Sequence, residues 1–253
     1  MNIGSRSDAR VFGQSDKLVA EMCGRFTLTW AQKEKLAEAL GVLPEQINDA
    51  DYRPRWNIAP TDPHLIVRMR YEERNVLPAR WGLVNAWAKD AKRAAKQINA
   101  RAETVNTSNA FREAFEKRRC VVPADGFYEW EGAGNARRPI WFHREDGGLI
   151  FFAGLYESWQ PQPEQWQRTF TIVTTEPNGL MAPIHNRMPV ILPPEVVDEW
   201  LDPQETDLDR LQKLLRPPPD DFLTMRRVSQ RANSVKNDDP SCIEPAEEMQ
   251  RLL

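Results

Sequence analysis

Along most of the chain apolar residues either alternate with polar ones or run together in short blocks, and that period of two marks strands rather than helices. Residues 64–71 (HLIVRMRY) and 75–84 (NVLPARWGLV) read as neighbouring strands. Residues 118–130 (RRCVVPADGFYEW) read as a further pair broken at Pro123, and residues 139–157 (PIWFHREDGGLIFFAGLYE) as a hairpin that turns at Gly147-Gly148 between two aromatic-rich strands. Residues 168–175 (RTFTIVTT) and 188–192 (MPVIL) add two more. The helical period returns in a few places. AQKEKLAEAL at 31–40 is a helix with Thr29 as its N-cap and Gly41 past its end. SNAFREAFEK at 108–117, PPEVVDEWL at 193–201 with proline entering the first turn, and DLDRLQKLL at 207–215 are the others. Short strands joined mostly by tight turns, with few crossover helices, predict an α+β fold with a mainly antiparallel sheet rather than a doubly wound parallel one. Pro217-Pro218-Pro219 is a loop, and no repeat of fixed period is present.

Composition narrows the class. A chain of 253 residues buries enough surface to fold without disulfide or metal staples, and one compact domain is the expectation. Its three cysteines, at 23, 120 and 242, form no CxxC pair, and with only three histidines they offer no close ligand pairs for a structural zinc cage. Scattered thiols without a pairing pattern point to a reducing compartment, the cytoplasm. No window is apolar enough over about 18 residues to span a membrane, and no glycine-rich nucleotide loop is present. The net charge of −3 hides an asymmetry: between Arg53 and Arg119 there are 15 Lys and Arg against 7 Asp and Glu. Such a segment fits a phosphate-binding face and equally an Arg-rich solvated surface.

Residues 1–22 have the pattern of neither a signal peptide nor an amphipathic transit helix. Met22 stands directly before Cys23-Gly24-Arg25, so that removal of a starter methionine there would leave cysteine with a free α-amine. The expectation is an upstream extension, 1–22, absent from the mature protein, and a domain from 23 to 253. A terminal cysteine carries two nucleophiles on one residue, because its α-amine has a pKa near 7.7–8.0 and is partly neutral at physiological pH. The amine can condense with an aldehyde and the thiol can then close on the imine carbon to a thiazolidine; alternatively the thiol can attack an amide with the amine as its base. An unremarkable free cysteine would instead be a small buried hydrophobe.

Other candidates lie downstream. Glu129, in ADGFYEW, shares a strand face with Phe127, so a core-facing Phe127 draws the carboxylate inward, where it suits proton shuttling. His185 stands in the proline-bounded loop APIHNRMP, with the permanent cation of Arg187 two residues on, a pair suited to a phosphate or a developing anion. Asn57 (WNIAPT) and Asn99 (INARAET) lie at segment junctions and read equally as turn residues. Trp87 borders the lysine-rich stretch 89–96, an interleaving that fits base stacking beside phosphate contacts.

Taken together, MCGRF at 22–26, WNIAPT at 56–61, INARAET at 98–104, RRCVVPADGFYEW at 118–130, IFFAGLYE at 150–157, APIHNRMPVIL at 182–192 and NSVK at 233–236 resemble the SOS response-associated peptidase (SRAP) family in order over the chain from Cys23 to about Lys236. The resemblance implies a single α+β domain with a curved, barrel-like, mainly antiparallel sheet and flanking helices. It implies a monomer that senses abasic sites in single-stranded DNA and captures the ring-opened sugar aldehyde as a covalent thiazolidine crosslink, with lyase or cysteine peptidase activity, self-cleavage to expose Cys23, and no metal or organic cofactor. Carried over by motif, Cys23 is the crosslinking residue, Asn99, Glu129 and His185 complete the catalytic set, and Arg25, Asn57, Trp87, Arg101 and Arg187 contact DNA. Ala88 after Trp87 departs from a paired aromatic platform. The alternative is an N-terminal-cysteine amidohydrolase acting on glutamine, with which the DGFYEW and IHNRMP segments share no resemblance. A third reading is a nucleic-acid-binding module that uses only the basic segment.

Overall fold

Two β-sheets share the chain, and tight turns pass it from one to the other. The computed structural model describes residues 24–132 and 134–246; the upstream extension, Cys23 and the last seven residues lie outside that range. In chain order the strands and helices are β1 (Phe26–Leu28), α1 (Lys33–Leu40), β2 (Arg55–Ile58), β3 (Pro63–Arg70), β4 (Glu73–Trp81), β5 (Asn99–Arg101), α2 (Arg112–Lys117), β6 (Arg119–Ala124), β7 (Gly126–Glu131), β8 (Arg138–His143), β9 (Ile150–Gln162), β10 (Gln165–Thr175), β11 (Met188–Pro189), β12 (Ile191–Leu192), α3 (Val197–Leu201), α4 (Leu208–Leu214) and β13 (Thr224–Arg227).

The larger sheet closes on itself. β3 pairs with β4 and β6, β6 with β9 and β9 with β10, all antiparallel, and a short parallel ladder between β10 and β4 (Thr169 beside Arg80, Phe170 beside Trp81) completes a five-stranded barrel. Closure removes the open edges that a free sheet would expose. Apolar side chains fill the interior: Trp81 stacks on Phe170 at 6.2 Å, and Phe26 meets the edges of His64 at 4.8 Å, Trp81 at 5.0 Å and Phe152 at 5.9 Å. The smaller sheet, in the order β13-β8-β7-β1-β2, lies beside it. A single α+β domain with a barrel-like, mainly antiparallel sheet therefore describes the molecule, and the parallel ladders of β10 with β4 and with β5 are its exceptions.

Four local expectations are corrected. Residues 139–157 do not form a hairpin, because β8 and β9 belong to different sheets and Gly147, at φ 69°, turns the chain between them. Residues 118–130 break at Asp125 and not at Pro123, again at a switch of sheet. Pro123 is tolerated inside β6 because the ladder to β3 is reduced to Val67 beside Val121, so a missing N–H costs no bond on that side. Thr29 does not cap α1, whose N-cap is Gln32 without a side-chain bond; its hydroxyl and amide both donate to Asp125 Oδ2 at 2.6 Å. Gly41 ends α1 in the left-handed conformation (φ 67°) that its sequence position requires. MPVIL is divided by Val190 into β11, on β10, and β12, on β9.

Candidate functional site

The site forms where β7 meets the loop that follows β10. β7 alternates as its sequence predicts: Phe127 is buried and stacks on Phe142 at 5.2 Å, and Glu129 on the same face is also buried, 3% exposed. On one side of Glu129 runs β8, with Ile140 opposite it. On the other runs β1. Phe26 lies opposite Phe127, and the Arg25 carbonyl accepts from Tyr128 N at 3.0 Å, so the same register sets buried Gly24 opposite Glu129.

His185 approaches from the loop 176–187. Asn178 Oδ1 accepts from Met181 N at 3.1 Å, Met181 is fully buried, and its carbonyl accepts from the amides of Ile184 at 2.8 Å and His185 at 3.1 Å. Asn178 Nδ2 in turn donates to the carbonyls of Pro218 at 3.3 Å and Pro219 at 3.2 Å, so the proline tract braces this loop. The imidazole Nδ1 stands 3.9 Å from Glu129 Oε1, 3.1 Å from the Arg187 amide and 3.0 Å from the Arg187 carbonyl. The backbone of Arg187 thus fixes the ring, and Nε2 makes no hydrogen bond among the described residues.

Asn99 and Arg101 arrive on β5, which runs parallel to β10 with Asn99 beside Ile172 and Arg101 beside Thr174. Three residues suffice to separate their environments: Asn99 is half-buried, Ala100 buried and Arg101 exposed. The Arg187 guanidinium reaches the same Thr174, donating to its carbonyl at 2.5 Å, and forms a two-pronged pair with Glu103 at 2.7 and 3.0 Å. That pair holds the Glu103 carboxyl below its ordinary range. The backbone of Arg101 and the guanidinium of Arg187 thus both lie against Thr174, near the end of β10 and the loop that carries the histidine.

Other expected site residues are placed differently. Arg25 is buried; its Nη1 donates to Asn57 Oδ1 at 2.9 Å and to the Ala232 carbonyl at 3.0 Å, and its guanidinium carbon lies 5.6 Å from the Trp130 ring centre. Burial, with Arg137 nearby, lowers its pKa to about 10, which leaves it cationic at neutral pH. Asn57 Nδ2 donates to the carbonyls of Ala232, Ser234 and Asn237 at 3.3, 3.0 and 2.8 Å. Both side chains direct these hydrogen bonds to one another or to the segment 232–237. Trp87 is 67% exposed on the excursion between β4 and β5, beside Lys89, Lys92, Arg93 and Lys96, and the neighbouring Ala88 carbonyl accepts from Trp159 Nε1 at 2.7 Å. Cys23, the expected nucleophile, lies outside the described residues.

The basic segment is not one continuous face. Arg55 pairs with Asp62 and Asp238, Arg74 with Asp198 and Arg118 with Glu157, and Arg119 is buried among the carbonyls of Phe115, Glu116, Trp200, Asp202 and Glu205. Much of that charge is internal cement. Glu103, Asn178 and Asp125 hold neighbouring groups in place and were passed over by the sequence reading; Glu103 lies inside the INARAET motif, two residues from Arg101, and that proximity was its only signal. Among the described residues no three His, Cys, Asp or Glu side chains gather as a metal site would require, and no helix is long and apolar enough to cross a membrane.

Residues 22–235 match the family model described as SOS response associated peptidase (SRAP). Among similar proteins, the abasic site processing protein YoqW of Bacillus subtilis is 41% identical over 224 residues, covering 88% of this chain and 99% of its own. The abasic site processing protein HMCES of Gallus gallus is 32% identical over 237 residues, covering 81% and 70% respectively. A crystal structure of a Bacteroides thetaiotaomicron protein superposes with a TM-score of 0.75 at 26% identity, over 88% of this chain and all of the other.

Proposed function

The chain belongs to the SOS response associated peptidase (SRAP) family, and from that premise we propose that it processes abasic sites in single-stranded DNA by bonding them covalently to Cys23. The observation that carries the reading is the meeting of Glu129 and His185 at 3.9 Å, with Glu129 opposite Gly24 and His185 two residues from Arg187, whose guanidinium lies on Thr174 where Arg101 pairs. Cys23 is joined to Gly24 by a single peptide bond. Gly24, its neighbour in the chain, is therefore the described residue that links the cysteine to the proton donor and acceptor pair, and the names of the relatives supply the lesion.

The chemistry follows from the terminal cysteine. An abasic sugar in its ring-opened form presents an aldehyde. The α-amine of Cys23 adds to the aldehyde carbon, the hydroxyl of the resulting carbinolamine leaves as water once protonated, and an imine remains. The thiol then adds to the imine carbon while the nitrogen takes a proton, closing a five-membered thiazolidine with one water lost overall. Each step moves a proton. Glu129, a buried carboxylate on the same strand face as Phe127, is suited to receive and return protons at the carbinolamine, and His185, its ring held through Nδ1 by the Arg187 backbone, to protonate the ring oxygen when the sugar opens. Asn99, half-buried on β5, orients the adduct, and Arg101, Arg187 and Trp87 hold the flanking phosphates and bases. Arg25 and Asn57 serve the DNA contact by holding the segment 232–237 in place. The route requires a free amine on Cys23, hence removal of residues 1–22 by self-cleavage or a start at Met22.

Protein beginning at Cys23, incubated with a single strand bearing an abasic site, is expected to give an adduct that survives denaturation without reductant. Cys23→Ser keeps the amine but closes the ring poorly, so its imine is expected to be trapped mainly when borohydride is present. A stable adduct from protein whose α-amine has been acetylated would overturn the mechanism. Hydrolysis of glutamine without any adduct would instead favour the amidohydrolase.

A further inference from the structure

Arg187 is already engaged by an anion before any DNA arrives. Its Nη1 donates to Glu103 Oε1 at 2.7 Å and its Nη2 to Oε2 at 3.0 Å, an arrangement in which a carboxylate takes the two-pronged seat that a phosphate would take. Nη2 has its second proton on the Thr174 carbonyl, so a phosphate cannot use that nitrogen while Glu103 remains. The two partners are unequally held. The Arg187 side chain is 18% exposed and pinned at Thr174, whereas that of Glu103 is 51% exposed. If the pair separates, the carboxylate is the side that swings into water, leaving the cation where it stands.

We propose that Glu103 is an anion gate on the phosphate site of Arg187: it fills that site in the free protein and yields it to a strand of DNA. The inference rests on the reading that Arg187 contacts DNA, and it adds a residue that sets which anions are admitted. A tethered carboxylate competes at high effective concentration, so a lone phosphate ion displaces it poorly. A strand whose neighbouring phosphate is already held by Arg101, which pairs with Thr174 on β10, arrives tethered as well and wins the exchange. Exposed ion pairs contribute little net stability, which makes the exchange easy to drive. The gate therefore selects a polyanion over small anions at little expense in affinity.

Binding of a lesion-free single strand, read by fluorescence anisotropy across a salt series, tests the gate without involving the covalent step. Glu103→Gln keeps the shape and one acceptor but removes the charge. It is expected to tighten binding by about two- to fivefold at low salt, and inorganic phosphate is expected to inhibit this variant more than the wild type. Glu103→Asp keeps the charge and should stay near wild type. In an Arg187→Gln background, the Glu103→Gln change should have no effect, since there is no cation left to gate. Weaker binding by Glu103→Gln, at unchanged thermal stability, would show that Glu103 orients Arg187 for phosphate, and the gate would be wrong. Unchanged binding would overturn it equally. If Arg187→Gln alone leaves affinity and salt slope untouched, then the DNA contact of Arg187 fails, and that outcome is distinct from failure of the gate, in which Arg187→Gln weakens binding but Glu103→Gln does not tighten it.

Discussion

Glu129 and His185 have reached the same point by different means, and their substitutions should separate accordingly. Glu129 is drawn inward by strand alternation beside Phe127, whereas His185 is carried in by a loop hung on Met181 and Asn178. Proton transfers by positioned groups are worth about 10²–10⁴-fold in rate. Glu129→Gln and His185→Ala should each slow formation of the adduct within that range in single-turnover gels, with affinity for a lesion-free strand nearly intact. Loss of affinity with an unchanged rate per bound complex would reassign the residue to a structural or electrostatic role.

At the scale of elements, the short strand β1 matters most, because the chain leads back from it through Arg25 and Gly24 to Cys23. Three residues of ladder hold a strand weakly, and Asp125 supplies the fastening. Its Oδ1 accepts from Thr27 Oγ1 at 2.5 Å, its Oδ2 accepts from the amide and hydroxyl of Thr29, and its own amide donates to the Thr27 carbonyl at 2.9 Å. Trp141 Nε1 adds a bond to Thr27 Oγ1 at 3.1 Å. Asp125→Ala strips three donors of a buried acceptor, and hydrogen bonds to a charged group contribute about 1.5–3 kcal/mol, so a loss of that order is expected in urea unfolding. The adduct rate should fall with it even at temperatures where the variant is fully folded, because β1 positions Gly24 opposite Glu129. A variant that is destabilised yet reacts at the wild-type rate would show that β1 needs no such fastening.

For the molecule as a whole, the barrel core carries an acid sensitivity. His64 lies inside it, 6% exposed, with Nε2 2.8 Å from the Pro123 carbonyl and its ring against Phe26. Burial lowers its pKa to about 4, partly offset by that carbonyl. The folded value lies below the unfolded value of about 6.5, so below that pH the unfolded chain takes up a proton that the folded chain refuses. Stability is lost as pH falls from about 6.5 towards about 4, by up to about 3 kcal/mol, and this group takes no more below that. Asp125 acts in the opposite sense, since burial raises its carboxyl pKa and protonation favours the fold. His64→Gln keeps a donor for Pro123 without the titration, and its unfolding free energy should fall less steeply between pH 6.5 and 4.5. Parallel pH profiles for the variant and the wild type would remove His64 as the cause.

Period and turn chemistry in the sequence determined which segments are strands, the left-handed end of α1 at Gly41, the inward face shared by Phe127 and Glu129, and, through ordered motifs, the residues 99, 101, 129, 185 and 187 that now stand around the end of β10. Those features depend on neighbours within a few positions. Pairing does not: a tight turn at Gly147 looks the same whether its strands join each other or, as here, two different sheets. Nor does sequence show which acid meets which base. Thr29 is an acceptable helix cap that finds a better partner in Asp125, 96 residues away, and Arg25 and Asn57 turn to the segment 232–237. A barrel-like sheet was implied by the family motifs, but its closure by a parallel ladder between β4 and β10, and the Glu103–Arg187 pair, belong to the tertiary structure alone, because they arise only when strands distant in sequence are brought together.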